Sequence, residues 1–146
     1  MARSVTQGVV VLAEDDAATC KLAEIAIEEI GSVLEFNVVQ DGQELLEYLR
    51  REGTHGGAKR PHLVLLDLNM PRKNGFEALS EIRDDDALKD LPVVILTTSD
   101  SRQDIKRCYQ MGASSFVTKP TGFAALRDLF ASLEHYWFDT VTVPTA

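Results

Sequence analysis

The sequence is poor in the features that mark several common kinds of protein. Its apolar stretches are short, and none approaches the ~20 residues needed to span a bilayer. The opening MARSVTQG holds too few apolar residues for a secretory signal. The expectation is a cytoplasmic chain with no membrane association. Cysteine is scarce: Cys20 and Cys108 are the only two. They match neither a metal-ligand spacing nor a disulfide framework, and each falls in a helical pattern, so both are expected to pack as small core residues. Basic charge is in deficit, with 15 Lys and Arg against 23 Asp and Glu for a net charge of −8. Without a basic stripe to neutralise phosphate backbones, nucleic acid is excluded as the expected partner. Low-complexity tracts and internal repeats are absent too.

What remains is an ordinary globular composition, 45% hydrophobic and 26% charged, in 146 residues, the size of one domain. Short apolar runs alternate with amphipathic segments, the pattern of a parallel sheet covered by helices on both faces. Strands are expected over Val9–Ala13, 36–40, Leu63–Leu66, 93–96 and 116–118. The unbroken LVLL of the third suits a strand buried on both faces. Helical stripes fall between and after them: Leu22, Ile25, Ala26 and Ile30; Leu45, Tyr48 and Leu49; Phe76, Leu79 and Ile82; Ile105, Cys108 and Tyr109; and Phe123, Leu126, Leu129, Phe130 and Leu133. Asp41 and Gly42 read as a cap before the second helix, and Pro92 as the opening of the fourth strand. The fold expected is α/β, a flavodoxin-like (βα)5 doubly wound sheet. A single domain fills residues 1–146, with its core over about 8–137. Residues 51–61, with Gly53, Gly56 and Gly57, read as a flexible surface loop, and residues 138–146 as a tail that frays or lies across a neighbour.

Open parallel sheets bind ligands beyond the carboxyl ends of their strands. The polar residues expected there are Glu14, Asp15 and Asp16 after the first strand, Asp67 after the third, Thr97 and Thr98 after the fourth, and Lys119 after the fifth. Carboxylates converging on one crevice repel one another, and a hard divalent cation removes that cost. Mg²⁺ takes oxygen ligands and keeps several waters, so two carboxylates and a carbonyl suit it. Asp67 is then free to act as a nucleophile that forms an acyl phosphate. Lys119 and the Thr97 hydroxyl are placed to hold the phosphoryl oxygens. Taken singly, each residue has a plainer use: Glu14 or Asp15 as a helix cap, Thr97 as a strand end, Lys119 as a solvated charge. Asp67, at the end of an apolar strand, is the hardest to explain that way.

At these residues the sequence resembles the response-regulator receiver family, which is CheY-like in fold. VLAED over residues 11–15 resembles its acidic pair. LLDLNMP over 65–71, followed by Gly75, resembles its phosphoacceptor strand and loop, and LTTS over 96–99 and Lys119-Pro120 resemble its remaining signatures. The resemblance runs from about Gly8 to Trp137 and implies a strand order of 2-1-3-4-5. It also implies phosphorylation of Asp67 by a histidine kinase, and Mg²⁺ held by Asp15, Asp67 and the Asn69 backbone carbonyl, with Glu14 acting through water. Asp16 then falls outside the pair, as a helix cap. A cis Lys119–Pro120 bond is implied as well. So is a switch that couples Thr97 to Phe116, in place of the family's commoner tyrosine. A strand-five core aromatic is the plainer reading of Phe116.

A narrower resemblance is carried by LTTS, by FVTKP over 116–120 and by YWF over 136–138. These are similar to the small receivers paired with bacterial phytochrome histidine kinases, which implies a homodimer through the fourth and fifth helices and the tail. Alternatively the aromatic cluster closes the fifth helix onto its own sheet. A histidine phosphotransfer protein is a further partner the resemblance implies. No enzymatic activity is expected beyond the chain's own phosphorylation and dephosphorylation. Rival readings fit less well. A haloacid-dehalogenase-type phosphatase carries its nucleophile after the first strand, with a second Asp two residues on, where this chain has Asn69. A flavodoxin needs a Ser/Thr-rich loop where this chain has three acids. A degenerate receiver lacks a complete acidic site.

Overall fold

β1 (Val9–Ala13), β3 (Leu63–Leu66) and β4 (Val93–Thr97) are apolar but for the terminal Thr97 and buried at every position, because helices cover both faces of the sheet they form. The computed structural model describes residues 8–144. β2 (Glu35–Val39) and β5 (Ser115–Thr118) flank these strands as half-exposed edges, giving one parallel sheet in the order β2-β1-β3-β4-β5. Both edge strands begin one residue earlier than the apolar runs suggest, since an edge strand need not be apolar along its length.

The alternating directions of successive side chains split the interior into two cores. Val11, Ala13, Val64, Leu66, Val93 and Ile95 pack with residues of α2 (Gly42–Arg50), α3 (Gly75–Asp84) and α4 (Arg102–Gln110). Val10, Leu12, Leu63, Leu65, Val94 and Leu96 pack with α1 (Ala17–Glu29) and α5 (Phe123–Glu134). The first four helices start where a capping side chain dictates. Asp16, Asp41, Asn74 and Ser101 accept the backbone N–H three residues on, and Asn74 and Glu77 complete a reciprocal capping box.

Three expectations need correction. Of the expected α1 stripe, Ala26 is buried and Ile30 packs on the second core, but Leu22 and Ile25 stand 42% and 41% exposed, and Cys20 and Ala23 complete the buried face; small residues let α1 lie close against α5 and the sheet. Residues 51–61 contain a 3₁₀ turn, Gly53–His55, secured by the His55 Nε2 contact with Glu44 Oε2 at 3.0 Å and by its ring against Tyr48. The tail does not fray at Phe138. A π-helical turn over His135–Thr140 continues α5, and Trp137 and Phe138 pack on the second core while Tyr136 is half exposed. Residues 145 and 146 lie outside the described residues. Cys20 and Cys108 are free and buried, and burial pushes each thiol up to about 11, so both stay protonated and inert as expected.

Candidate functional site

The carboxyl ends of β1, β3, β4 and β5 deliver the polar residues to one crevice. β1 ends at Ala13, and the next residue, Glu14, is 1% exposed, its N–H bonded to the Val39 carbonyl at 2.9 Å. The N–H of Asp67, just past β3, bonds to the Ala13 carbonyl at 3.2 Å, which locks the two acidic segments side by side. Carboxylate oxygens of Glu14, Asp15 and Asp67 all lie within 4.8 Å of one another. Lys119 sits against them: its ammonium donates to Glu14 Oε1 and stands 3.6 Å from Asp67 Oδ2. Its backbone N–H bonds to the Thr97 carbonyl at 2.7 Å, tying the end of β5 to the end of β4.

Burial raises the Glu14 carboxyl above its ordinary value, against the pull of Lys119 and the Asp16 N–H, and the Asp67 charge adds to the rise. One ammonium cannot offset three crowded carboxylates. A divalent cation can, and an oxygen-only donor set suits a hard ion. The residues present therefore fit a divalent metal, with Asp15, the most exposed of the three, on the solvent side.

Thr97 is fully buried, and its hydroxyl makes no hydrogen bond among the described residues. An unmet buried hydroxyl costs about 1–3 kcal/mol. Thr97→Val is accordingly expected to raise stability by about 1 kcal/mol in the absence of phosphorylation, a gain read from the urea midpoint. A stability loss of similar size would mean that the hydroxyl already has a partner.

Asn69 lines an open groove with Asp15, Leu68, Met70, Phe76 and Arg107, and the Arg107 guanidinium lies 3.9 Å above the Phe76 ring. Gly75 closes the base of the β3–α3 loop. Its N–H bonds to the Leu68 carbonyl at 3.0 Å, and a Cβ there would come within 2.2 Å of the Asp67 carbonyl. Asp16 lies outside the acidic cluster as the α1 cap, accepting from the Thr19 N–H at 3.0 Å. Phe116 is half buried against the first core. Its N–H donates to the Tyr109 hydroxyl at 3.2 Å, a contact that sequence reasoning missed, having assigned Tyr109 only to a helix face. No cis peptide occurs among the described residues, so Lys119–Pro120 is trans, the isomer an X–Pro bond intrinsically prefers.

The model of the response regulator receiver domain family matches residues 10–131. The chain belongs to that family. Receiver domains are the response-regulator modules of two-component signalling, and close relatives extend over almost the whole length. Response regulator Rcp1 of Synechocystis sp. is 34% identical over 138 residues, covering 94% of this chain and 94% of its own. The phosphorylated cyanobacterial phytochrome response regulator RcpA superposes with a TM-score of 0.90 at 37% identity, covering 96% of this chain and 100% of that one. The Mn²⁺-bound form of Rcp1 superposes with a TM-score of 0.86 at 33% identity, covering 94% and 99%. No helix among the described residues of this receiver is long and apolar enough to cross a membrane.

Proposed function

We propose that this receiver accepts a phosphoryl group on Asp67 from a histidine kinase, with Mg²⁺ held by Asp15, Asp67 and the Asn69 carbonyl and by Glu14 through water. The observation that carries this reading is the convergence of Glu14, Asp15 and Asp67, with Lys119 against Glu14 and Asp67 and the unbonded Thr97 hydroxyl at the neighbouring strand end. An Asp67 carboxylate oxygen attacks phosphorus in line. The bond from phosphorus to the donor's imidazole nitrogen breaks, and the imidazole keeps the electron pair and takes up a proton. Lys119 then pairs with the phosphoryl oxygens, and Thr97 donates to one of them. The bound cation supplies charge neutralisation for the transferring group. Apart from this reaction and the later hydrolysis of the acyl phosphate, in which water restores the Asp67 carboxylate and inorganic phosphate leaves, the chain acts on no substrate.

The test is mass spectrometry after incubation with acetyl phosphate and Mg²⁺. One added phosphoryl group mapping to Asp67 supports the reading, and an unlabelled folded protein overturns it. Acidification provides a second check. Because burial lifts Glu14 above 4.5, its proton returns at a higher pH than that of a solvated glutamate. Proton and cation compete, so Mg²⁺ affinity is expected to fall as pH drops towards that range, and to fall less steeply in Glu14→Gln. Calorimetric titrations at stepped pH read this directly, and identical profiles for the two proteins would exclude Glu14.

Thr97 and Phe116 serve as the switch in this reading. Moving such a switch from 1:99 to 99:1 requires about 5.5 kcal/mol of preference for one state, within reach of several charge-assisted hydrogen bonds. Output runs through protein contact in the cytoplasm. The likeness to RcpA, a phytochrome response regulator, supports a phytochrome histidine kinase as the donor. The exposed Leu22 and Ile25 on α1, the helix that follows Glu14 and Asp15 in the chain, offer that kinase or a histidine phosphotransfer protein an apolar contact. A homodimer through α4, α5 and the tail is favoured by Tyr109 and Tyr136, each 50% exposed on those elements. Sedimentation is expected to show a dimer at high micromolar concentration, and a monomer with and without phosphorylation would remove it.

A further inference from the structure

Outside the acidic crevice, the β3–α3 loop is fastened to the start of α2 by contacts that phosphoryl transfer itself does not use. Arg72 has a φ of 62°, a left-handed backbone that a long side chain rarely adopts. Its guanidinium meets Asp41 in a two-pronged contact, Nε to Oδ2 at 2.8 Å and Nη2 to Oδ1 at 3.2 Å. Asp41 is 6% exposed, and its Oδ1 also accepts the Glu44 N–H at 2.8 Å as the cap of α2. Next to it, the Gly42 N–H bonds to the Lys73 carbonyl at 2.9 Å. A Cβ on Gly42 would lie 2.4 Å from that same oxygen, so only glycine permits the approach. Lys73 in turn pairs with Glu81 on α3.

We infer that Asp41 and Arg72 form a positioning latch that holds the β3–α3 loop with the Asn69 carbonyl at the acidic crevice, and so sets the divalent-cation affinity of the site. The inference rests on the phosphoacceptor reading above. The loop leaves the sheet at Asp67 and is closed at its base by Gly75. Leu68 and Met70 are buried in the first core, while Asn69 between them is exposed and borders the same groove as Asp15. Beyond Met70 the chain turns on the Lys73 N–H to Pro71 carbonyl bond at 2.7 Å, and Arg72 and Lys73 then fasten the turn to α2. A carbonyl that must meet a small cation in near-ideal geometry tolerates little displacement. Groups that orient metal ligands from behind are typically worth 10–100-fold in affinity. The latch acts one link further out, which puts its effect at the low end of that range. A purely structural role predicts something else. The Arg72 side chain is 58% exposed, and an ion pair open to water adds little to stability.

The experiment uses the full chain with Arg72→Ala and Asp41→Asn, the latter keeping an oxygen that caps α2. Mg²⁺ affinity is measured calorimetrically on unphosphorylated protein, alongside the urea midpoint and exchange of the Gly42 amide in metal-free protein. Each variant is expected to bind Mg²⁺ about tenfold more weakly, with faster Gly42 exchange and little change in midpoint. The double variant is expected to be no worse than either single, and Arg72→Lys to recover part of the loss. If wild type binds Mg²⁺ and is labelled at Asp67 while both variants match its affinity within about twofold, the latch alone is overturned. It is overturned equally if affinity falls only in step with the urea midpoint. A wild-type chain that neither binds Mg²⁺ nor is labelled overturns the phosphoacceptor reading, and the latch with it.

Discussion

Replacing Asp67 by asparagine is expected to abolish labelling by acetyl phosphate while leaving the fold intact. The amide keeps the size and shape of the carboxylate but has no anionic oxygen to attack phosphorus, so the loss is of the nucleophile itself and not of its placement. Asp67 is 5% exposed at the end of β3, with Glu14 and Asp15 oxygens within 4.8 Å. Neutralising one of three crowded carboxylates removes repulsion, so the metal-free variant should unfold at the same or a higher temperature than wild type. The two readouts together separate chemistry from misfolding. Intact-mass spectrometry should show no added phosphoryl group, and calorimetry a transition undiminished in enthalpy. Labelling that persisted at full stoichiometry would move the acceptor to Glu14 or Asp15.

The largest stability effect is expected at Lys119. Its ammonium is the one cation within ion-pair distance of Glu14 and Asp67 among the described residues, and its side chain is itself only 13% exposed. Lys119→Met keeps the length of the apolar stem and removes the charge. Breaking a buried pair by deleting one partner typically costs 3–5 kcal/mol, because the other charge is left uncompensated, so a loss of about 3 kcal/mol is expected in metal-free protein. Burial already pushes Glu14 up, so part of the loss should disappear on acidification as its carboxyl takes up a proton. Saturating Mg²⁺ should restore a further part by supplying positive charge from the solvent side. Urea denaturation with and without the cation measures both. A loss below about 1 kcal/mol would mean that Glu14 and Asp67 do not depend on Lys119 for their charge balance. Phosphorylation of the variant should also slow by at least about 100-fold, since a preorganised donor to the transferring group is gone.

The parts of this protein that were legible in its sequence are those in which one physical requirement dominates. Strands buried on both faces must be apolar throughout, and β1 and β3 therefore begin and end where the apolar runs do. The acids at strand ends stood out because carboxylates are expensive beside an apolar core, and the fold brings Glu14, Asp15 and Asp67 together. Helix faces were less certain. α1 carries apolar residues on more than one side, and the choice of Cys20 and Ala23 over Leu22 and Ile25 to join Ala26 is made by how closely α5 approaches, which no local pattern reports. The aromatic tail allowed two fates, and only packing places Trp137 and Phe138 on the chain's own core while leaving Tyr136 outside. Asp41 was legible as a cap because the signal is local. Its pairing with Arg72 joins residues 31 apart in the chain and leaves no periodicity to read. The trans Lys119–Pro120 bond departs from what the resemblance implied for that motif.

The hydroxyl of Tyr109 reaches across to the Phe116 N–H, a donor that β4 does not take up because it points to the open side of the sheet. An unclaimed donor on an outermost strand invites a foreign strand to add itself there. Here the protein's own tyrosine occupies the position, fixing the rim of the sheet to the neighbouring helix. Any displacement of α4 therefore uncovers a bonding group on β5, and a shift in that helix is converted into a change in the adhesiveness of the protein's margin.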